Sequence, residues 1–228
     1  MQLHKFLAIT HSREELIDFL VEHNVITKEI QCPKCNNNVK VCIYWAKKNS
    51  TKLGGPDNIV EIDEAKFGKR KYNCGRIIKG KWVFGGFERE TRKIFLVPVP
   101  DRTEKTLLAF IKEWILPGTT IISDCWRSYD CLNSEGFQHL KVNHSMNFVD
   151  PETGAHTQHI ERVWREVRAN VPRYGVREPH LLGFLAEYLF KRVHKYEQRL
   201  SSFFSVIAEL YPPKILNEKT DVSEAVTT

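Results

Sequence analysis

The sequence predicts an α/β domain built on a mixed sheet flanked by helices. Three observations point there. Two β-branched runs each end in an aspartate, Ile59-Val-Glu-Ile-Asp63 and Thr119-Thr-Ile-Ile-Ser-Asp124. Between them, two apolar runs are joined by the tight polar turn Glu90-Thr-Arg92, the pattern of a hairpin. From Thr103 onward, helix-like and strand-like periods alternate.

The chain begins with two short helical patterns between Leu3 and Glu22. Leu3, Phe6 and Leu7, then Leu16, Ile17, Phe19 and Leu20, recur at helical spacing, and Ser12 with Glu15 has the spacing of a capping box. Cys32-Pro-Lys-Cys35 follows and is one knuckle of a zinc site. A structural Zn²⁺ wants four ligands; Cys42 is a candidate third and His23 a distant fourth. The alternative is a turn carrying free thiols. Residues 1–50 are therefore expected to hold the N-terminal helices and this partial knuckle. Lys47 to Asp57 reads as a linker, rich in Lys, Gly, Asn and Ser.

The main domain is expected over residues 54–212. Ile59–Glu64 is a strand, Lys66–Lys79 a Gly-broken basic excursion, and Lys81–Glu88 and Lys93–Val99 are the hairpin strands. Thr103 to Leu116 is an amphipathic helix stopped by Pro117-Gly118, with Leu107, Leu108, Phe110, Ile111, Trp114 and Ile115 on its apolar side. Thr119–Ser123 is the fourth strand, Trp126–Ser134 a short helix and His139–Val142 the fifth strand. Helices are expected from His156 to Asn170, along the Leu181, Leu182, Leu185, Tyr188, Leu189 stripe, and around Phe203–Leu210; residues 213–228 read as a disordered tail. Three hairpin-linked strands followed by helix, strand, helix, strand, helix is the element order of the ribonuclease-H-like fold. In that fold the first and fourth strands are neighbours, which brings Asp63 and Asp124 together.

Two carboxylates meeting at one sheet edge repel unless a cation lies between them. Hard oxygen donors suit Mg²⁺ or Mn²⁺, and a pair of such ions can clamp both oxygens of a phosphoryl displacement. The third acid is Glu161, in Gly154-Ala-His-Thr-Gln-His-Ile-Glu-Arg-Val-Trp164, where Ile160, Val163 and Trp164 would pack the helix and aim it inward. Glu61, Glu64, Asp150, Glu152 and Glu166 compete for the same role. His156 and His159, upstream, are candidates to touch substrate or metal. Arg168, two turns beyond Glu161, is a candidate for holding a phosphate bidentately.

Charge and composition narrow the partners. The net charge is +6 over 228 residues, a mild lean toward polyanions. Lys66, Lys69, Arg70, Lys71, Arg76, Lys79 and Lys81 crowd one stretch directly after Asp63, where neutralised phosphates would sit beside the acids. The alternative is a solvated loop. No apolar run approaches the roughly 20 residues of a membrane helix, and the N-terminus does not read as a signal peptide, so no membrane partner is expected. Six cysteines with only one close pair suggest a reducing compartment.

Together these motifs resemble a known family. Val-Glu-Ile-Asp63-Glu-Ala-Lys-Phe-Gly-Lys-Arg-Lys, Trp-Val-Phe-Gly-Gly, Val-Pro-Asp101-Arg-Thr, Thr-Ile-Ile-Ser-Asp124-Cys-Trp-Arg-Ser-Tyr, Val-Asn-His144-Ser and Gly-Ala-His-Thr-Gln-His-Ile-Glu161-Arg-Val-Trp are similar to the DDE transposases of Merlin-type mobile elements and their bacterial insertion-sequence relatives, over roughly residues 54 to 195. The resemblance implies a ribonuclease-H-like core holding two Mg²⁺ or Mn²⁺ ions on the triad Asp63, Asp124 and Glu161. It implies hydrolytic nicking of transposon ends followed by strand transfer into target DNA, by a homodimer on paired ends. It also implies residence with the DNA, in the nucleus of a eukaryote or the cytoplasm and nucleoid of a bacterium. The chain departs from the pattern in two places. Arg168 stands where relatives often carry Lys, and the stretch from Cys35 to Lys52 is shorter than in relatives with a complete zinc ribbon. The second departure keeps open a domesticated DNA-binding protein without catalytic activity; an RNA-cleaving nuclease on the same fold is a third reading.

Overall fold

The computed structural model describes residues 18–20, 22–23, 38–68, 80–144, 146, 149–172 and 178–212. Its elements, in chain order, are α1 (Asn38–Asn49), β1 (Leu53–Gly54), β2 (Ile59–Phe67), β3 (Lys81–Glu88), β4 (Ile94–Val99), α2 (Glu104–Trp114), β5 (Ile115–Leu116), β6 (Thr120–Asp124), β7 (Gln138–Val142), α3 (Gln158–Asn170), α4 (Glu178–Val193) and α5 (Arg199–Leu210). Single 3₁₀ turns lie at Arg127–Tyr129, Leu132–Glu135 and Tyr196–Gln198. The chain divides into two compact units, Met1–Tyr44 with Lys191–Thr228, and Trp45–Phe190.

In the first unit, buried Phe19 meets Phe204 edge-on at 5.6 Å. The Tyr44 hydroxyl donates to Glu209 Oε1 at 2.6 Å. Arg199 donates to the carbonyls of Lys191 and His194 at 2.8 and 3.1 Å, satisfying acceptors that the end of α4 leaves unpaired.

The second unit is a five-stranded mixed sheet in the order β4-β3-β2-β6-β7. The β2–β3 and β3–β4 pairs are antiparallel hairpin neighbours, while β2–β6 and β6–β7 are parallel and reached by crossovers. This is the ribonuclease-H-like arrangement. Strand β2 is central and covered on both faces, which explains its near-continuous apolar run. Val60 and Ile62 pack with Phe84, Ile121, Leu107 and Ile111 on the α2 side. Ala65 and Phe67 pack with Val83, Phe87 and the α3 residues Ile160, Val163, Trp164 and Val167 on the other. Period two then assigns Glu61 and Asp63 to the α3 face and Glu64 to the α2 face.

Two expectations need correction. The segment 47–57 is not a linker throughout. Helix α1 runs to Asn49, Leu53 is buried, and Leu53–Gly54 pairs in parallel with Ile115–Leu116. Glycine is required at 54: its φ is +85°, and an added Cβ would stand 2.2 Å from Thr119 Oγ1. The α2 helix also stops at Trp114, two residues earlier than its apolar stripe suggests. Ile115 turns extended (φ −122°, ψ 137°) because the strand pairing with Leu53 claims it. Among the described residues, no helix is long and apolar enough to cross a membrane.

Candidate functional site

The sheet register brings the first two acids together. The last recorded β2–β6 pair is Glu61 with Ile122. Both strands run in the same direction, so two residues further each reaches its aspartate, Asp63 on one and Asp124 on the other. Burial pushes the Asp63 carboxyl up to about 7, and the charges of Glu64 and Asp124 add to the shift. Glu64 is likewise pushed up to about 7, by burial and then by Asp124, against the opposing pull of Tyr129 and Arg102. Burial, then the charge of Glu64, raises the Tyr129 hydroxyl well above its usual value. Glu64 Oε1 and that hydroxyl are both buried and neither completes hydrogen-bond geometry. Asp124 Oδ1 accepts from the Trp126 backbone N–H at 3.0 Å.

The third acid is placed by a device that begins at Glu61. This carboxylate is fully buried and saturated with donors. Its Oε2 accepts from the backbone N–H groups of His159 and Ile160 at 3.0 and 3.1 Å, and its Oε1 from Arg89 Nε at 2.8 Å and His159 Nδ1 at 2.7 Å. The formal N-cap of α3, Thr157, makes no side-chain cap bond. A carboxylate from β2 therefore caps α3, where both the orphan N–H groups and the helix dipole favour negative charge. Arg89 Nη2 also holds the His156 carbonyl at 2.9 Å, and Phe87 stacks on His159 with ring centroids 5.0 Å apart.

With the start of α3 fixed, helical spacing delivers Glu161 and Trp164. Trp164 is buried, and its Nε1 donates to Asp63 Oδ2 at 3.0 Å. Room for the indole comes from Gly85, which pairs with Asp63 across β2–β3; an added Cβ there would meet Trp164 ring carbons at 2.8 Å. Glu161 Oε1 accepts from the Thr157 hydroxyl at 3.1 Å and lies 3.5 Å from His144 Nε2. Asp63, Glu64, Ala65, Glu161, Trp164, Arg165 and Arg168 line one open cleft of about 380 Å³. The structure thus joins Asp63 to Asp124 through the sheet and Asp63 to Glu161 across the cleft.

Two groups of side chains could hold a metal. Donor atoms of Glu61, His156 and His159 lie within 4.8 Å of one another. Glu61, however, already carries Arg89 and two helix N–H groups, and a guanidinium on the same oxygen opposes a cation. His156, whose Nδ1 is buried without a hydrogen-bond partner, is held below the usual imidazole range by burial and by Arg89. This cluster is a helix cap. The Asp63, Asp124 and Glu161 group is more open: its carboxylate oxygens do not all gather within 4.8 Å as the donors of the first cluster do. It offers hard oxygen donors, and among the described residues no ion pair joins Asp63 or Asp124 to a cation.

The remaining sequence candidates fall as follows. Arg168 lines the cleft, with its guanidinium 5.9 Å from the Phe67 ring centre. His156 and His159 face Glu61. Lys66 is exposed, its Nζ 5.4 Å from the Trp82 ring centre. Lys69, Arg70, Lys71, Arg76, Cys32 and Cys35 lie outside the described residues. Cys42 is buried within α1. Sequence reasoning missed the capping role of Glu61, the Trp164 hydrogen bond and the Arg165 lining. The signal for Glu61 was present: an acid two residues before Asp63 shares its strand face, inside an otherwise apolar run.

Known proteins resemble this chain in sequence and in fold. Residues 52–192 match the ISXO2-like transposase domain. An "Uncharacterized transposase-like protein" of Haemophilus influenzae is 30% identical over 96 residues, spanning 42% of this chain and 76% of that protein. The HTLV-2 integrase catalytic core domain in complex with magnesium (dimeric form) is 13% identical, with 65% of this chain and 97% of that chain covered and a TM-score of 0.40. The catalytic core domain of BIV integrase is also 13% identical, with 63% and 94% covered and a TM-score of 0.40.

Proposed function

Because the chain belongs to the ISXO2-like transposase domain family, an insertion-sequence type of DDE transposase, we propose that its second unit cleaves DNA strands at element ends and transfers them to target DNA. What supports this reading is the sheet register, which carries Asp63 and Asp124 equally far past the last β2–β6 pair, together with the cleft that Asp63 and Glu161 both line. Asp63 adjoins Asp124, shares a cleft with Glu161, and stays hard to ionise in the absence of a cation.

Asp63, Asp124 and Glu161 would hold Mg²⁺ or Mn²⁺. Bound there, the ions supply Lewis acidity toward the scissile phosphate and activation of the attacking hydroxyl. The protein's own groups do the rest. Trp164 fixes the Asp63 carboxylate through its N–H. Arg165 and Arg168 line the same cleft and offer fixed positive charge to a phosphate there. The Glu61 cap holds α3, and so Glu161, against the sheet. The partner is DNA, with two copies expected on paired ends, and the place of action is wherever that DNA resides, nucleoid or nucleus.

The test is strand cleavage of an end-containing DNA duplex in Mg²⁺ or Mn²⁺. Asp63→Asn, Asp124→Asn and Glu161→Gln should each reduce the rate by at least about 10³-fold, since several kcal/mol of transition-state stabilisation depends on the ligand set. Wild-type rates in any of the three would reject the assignment. Salt-sensitive DNA binding with no cleavage by the wild type would favour a domesticated DNA-binding protein instead.

A further inference from the structure

Beside the acids, on the α2 side of the sheet, stands an aromatic and cationic ladder that the cleavage chemistry leaves unused. The Arg102 guanidinium is sandwiched between two indoles, 4.0 Å from the Trp82 ring centre and 4.2 Å from that of Trp126. Lys66 Nζ lies 5.4 Å from Trp82, its cross-strand partner. Trp126 is 38% exposed and follows Asp124 by two residues.

The sandwich is built from both sides. On the Arg102 side, Asp101 Oδ1 accepts from the Thr103 N–H and hydroxyl at 2.9 and 2.7 Å, and Thr103 caps α2; this fixes the turn that presents Arg102. On the Trp126 side, the Asp124 carboxylate takes the Trp126 N–H. The two loops are stitched together at the Arg102 carbonyl, which accepts from Trp126 Nε1 at 3.3 Å and Ser128 Oγ at 2.8 Å. The result is a pre-ordered, part-exposed Trp126 indole with the Arg102 guanidinium on one face, tethered to a proposed metal ligand, while the Lys66 ammonium lies by the second indole, Trp82.

An indole of this kind stacks on the face of a nucleobase, and flanking cations take the phosphates on either side. Paired bases in a duplex keep their faces covered, so the fitting partner is an unpaired nucleotide. We propose that the Lys66, Trp82, Arg102, Trp126 ladder receives an unpaired nucleotide of the DNA strand held at the acids, with its base on Trp126 and its phosphates on Arg102 and Lys66. This rests on the DNA-cleaving reading above and adds to it a preference for frayed or single-stranded DNA next to the cleavage point.

The experiment measures binding of the full chain, in EDTA so that nothing is cut, to a blunt fluorescent duplex and to the same duplex carrying a short single-stranded tail. The wild type should bind the tailed duplex more tightly. Trp126→Ala should weaken binding to the tailed form about tenfold, the effect of losing one base–aromatic stack, and leave the blunt form within about twofold. Trp126→Phe should keep most of the preference. Equal wild-type affinity for both duplexes, or a Trp126→Ala effect equal on both, would overturn the ladder's role while leaving the catalytic reading intact. No binding of either DNA by the wild type would overturn both.

Discussion

Replacing Glu61 with glutamine tests how the catalytic helix is held. The change keeps the side chain's shape and removes its charge. In the native protein, one oxygen serves the two α3 N–H groups at 3.0 and 3.1 Å, and the other serves Arg89 at 2.8 Å and His159 at 2.7 Å. An amide has one acceptor oxygen, so one set keeps its partner and the other faces an NH₂ group. Losing the cap costs about 0.5–2 kcal/mol. Losing a charge-assisted bond costs about 1.5–3 kcal/mol, and breaking a buried pair about 3–5 kcal/mol. These overlap and do not add. Glu61 is fully buried while Arg89 remains 20% exposed and keeps some water, which places the net loss near 3 kcal/mol. Urea unfolding followed by circular dichroism would show it as a midpoint lowered by about 1.5 M, taking a slope of about 2 kcal/mol/M. A loss below about 1 kcal/mol would refute the capping argument. Asp63→Asn lacks a ligand of the proposed catalytic site, so added chelator should leave its unfolding unchanged; a chelator-induced drop in that variant would mean that Glu61, His156 and His159 hold a metal after all.

Gly85→Ala would force a methyl against the Trp164 ring, 2.8 Å away and buried. Overpacking of about 1–3 kcal/mol outweighs the roughly 0.5–1 kcal/mol gained by stiffening the unfolded chain. Thermal unfolding should show the net loss, and divalent-metal affinity should fall with it as the Asp63 hydrogen bond is displaced. The pH response follows from Asp63, whose carboxyl rises from 3.8 to about 7 on folding. The folded state therefore binds a proton that the unfolded state releases. The stability it contributes is complete below about pH 4 and is lost as pH rises through 7; Glu64 acts in the same direction. Metal-free protein should accordingly lose melting temperature between pH 5 and 8 from this source. Mn²⁺ should restore more of it at pH 8 than at pH 5.5, where binding must first expel a proton.

Much of this was legible in the sequence because strand-end acids and hairpin turns are local signals. The Lys81–Glu88 strand stands where its residues predict, and Asp63 and Asp124 meet because parallel neighbours carry them equally far along. What escaped were features that exist only across the sheet. Glu61 looked like one acid among several, since its partners lie 28 and 98 positions away. Trp164 was read as packing alone, because the bond from its N–H depends on the gap left at Gly85. Arg102 carried no local sign of its two indoles, each brought by a different strand end. The Leu53–Gly54 pairing was hidden by a composition that reads as loop.

The central claim is that Asp63, Asp124 and Glu161 gather around divalent cations. Anomalous scattering from a crystal of the full chain soaked in Mn²⁺ tests this most directly. The account predicts density in direct coordination of Asp63 and Asp124, with Glu161 completing the set. Density at Glu61, His156 and His159 instead, with none at the aspartates, would contradict it.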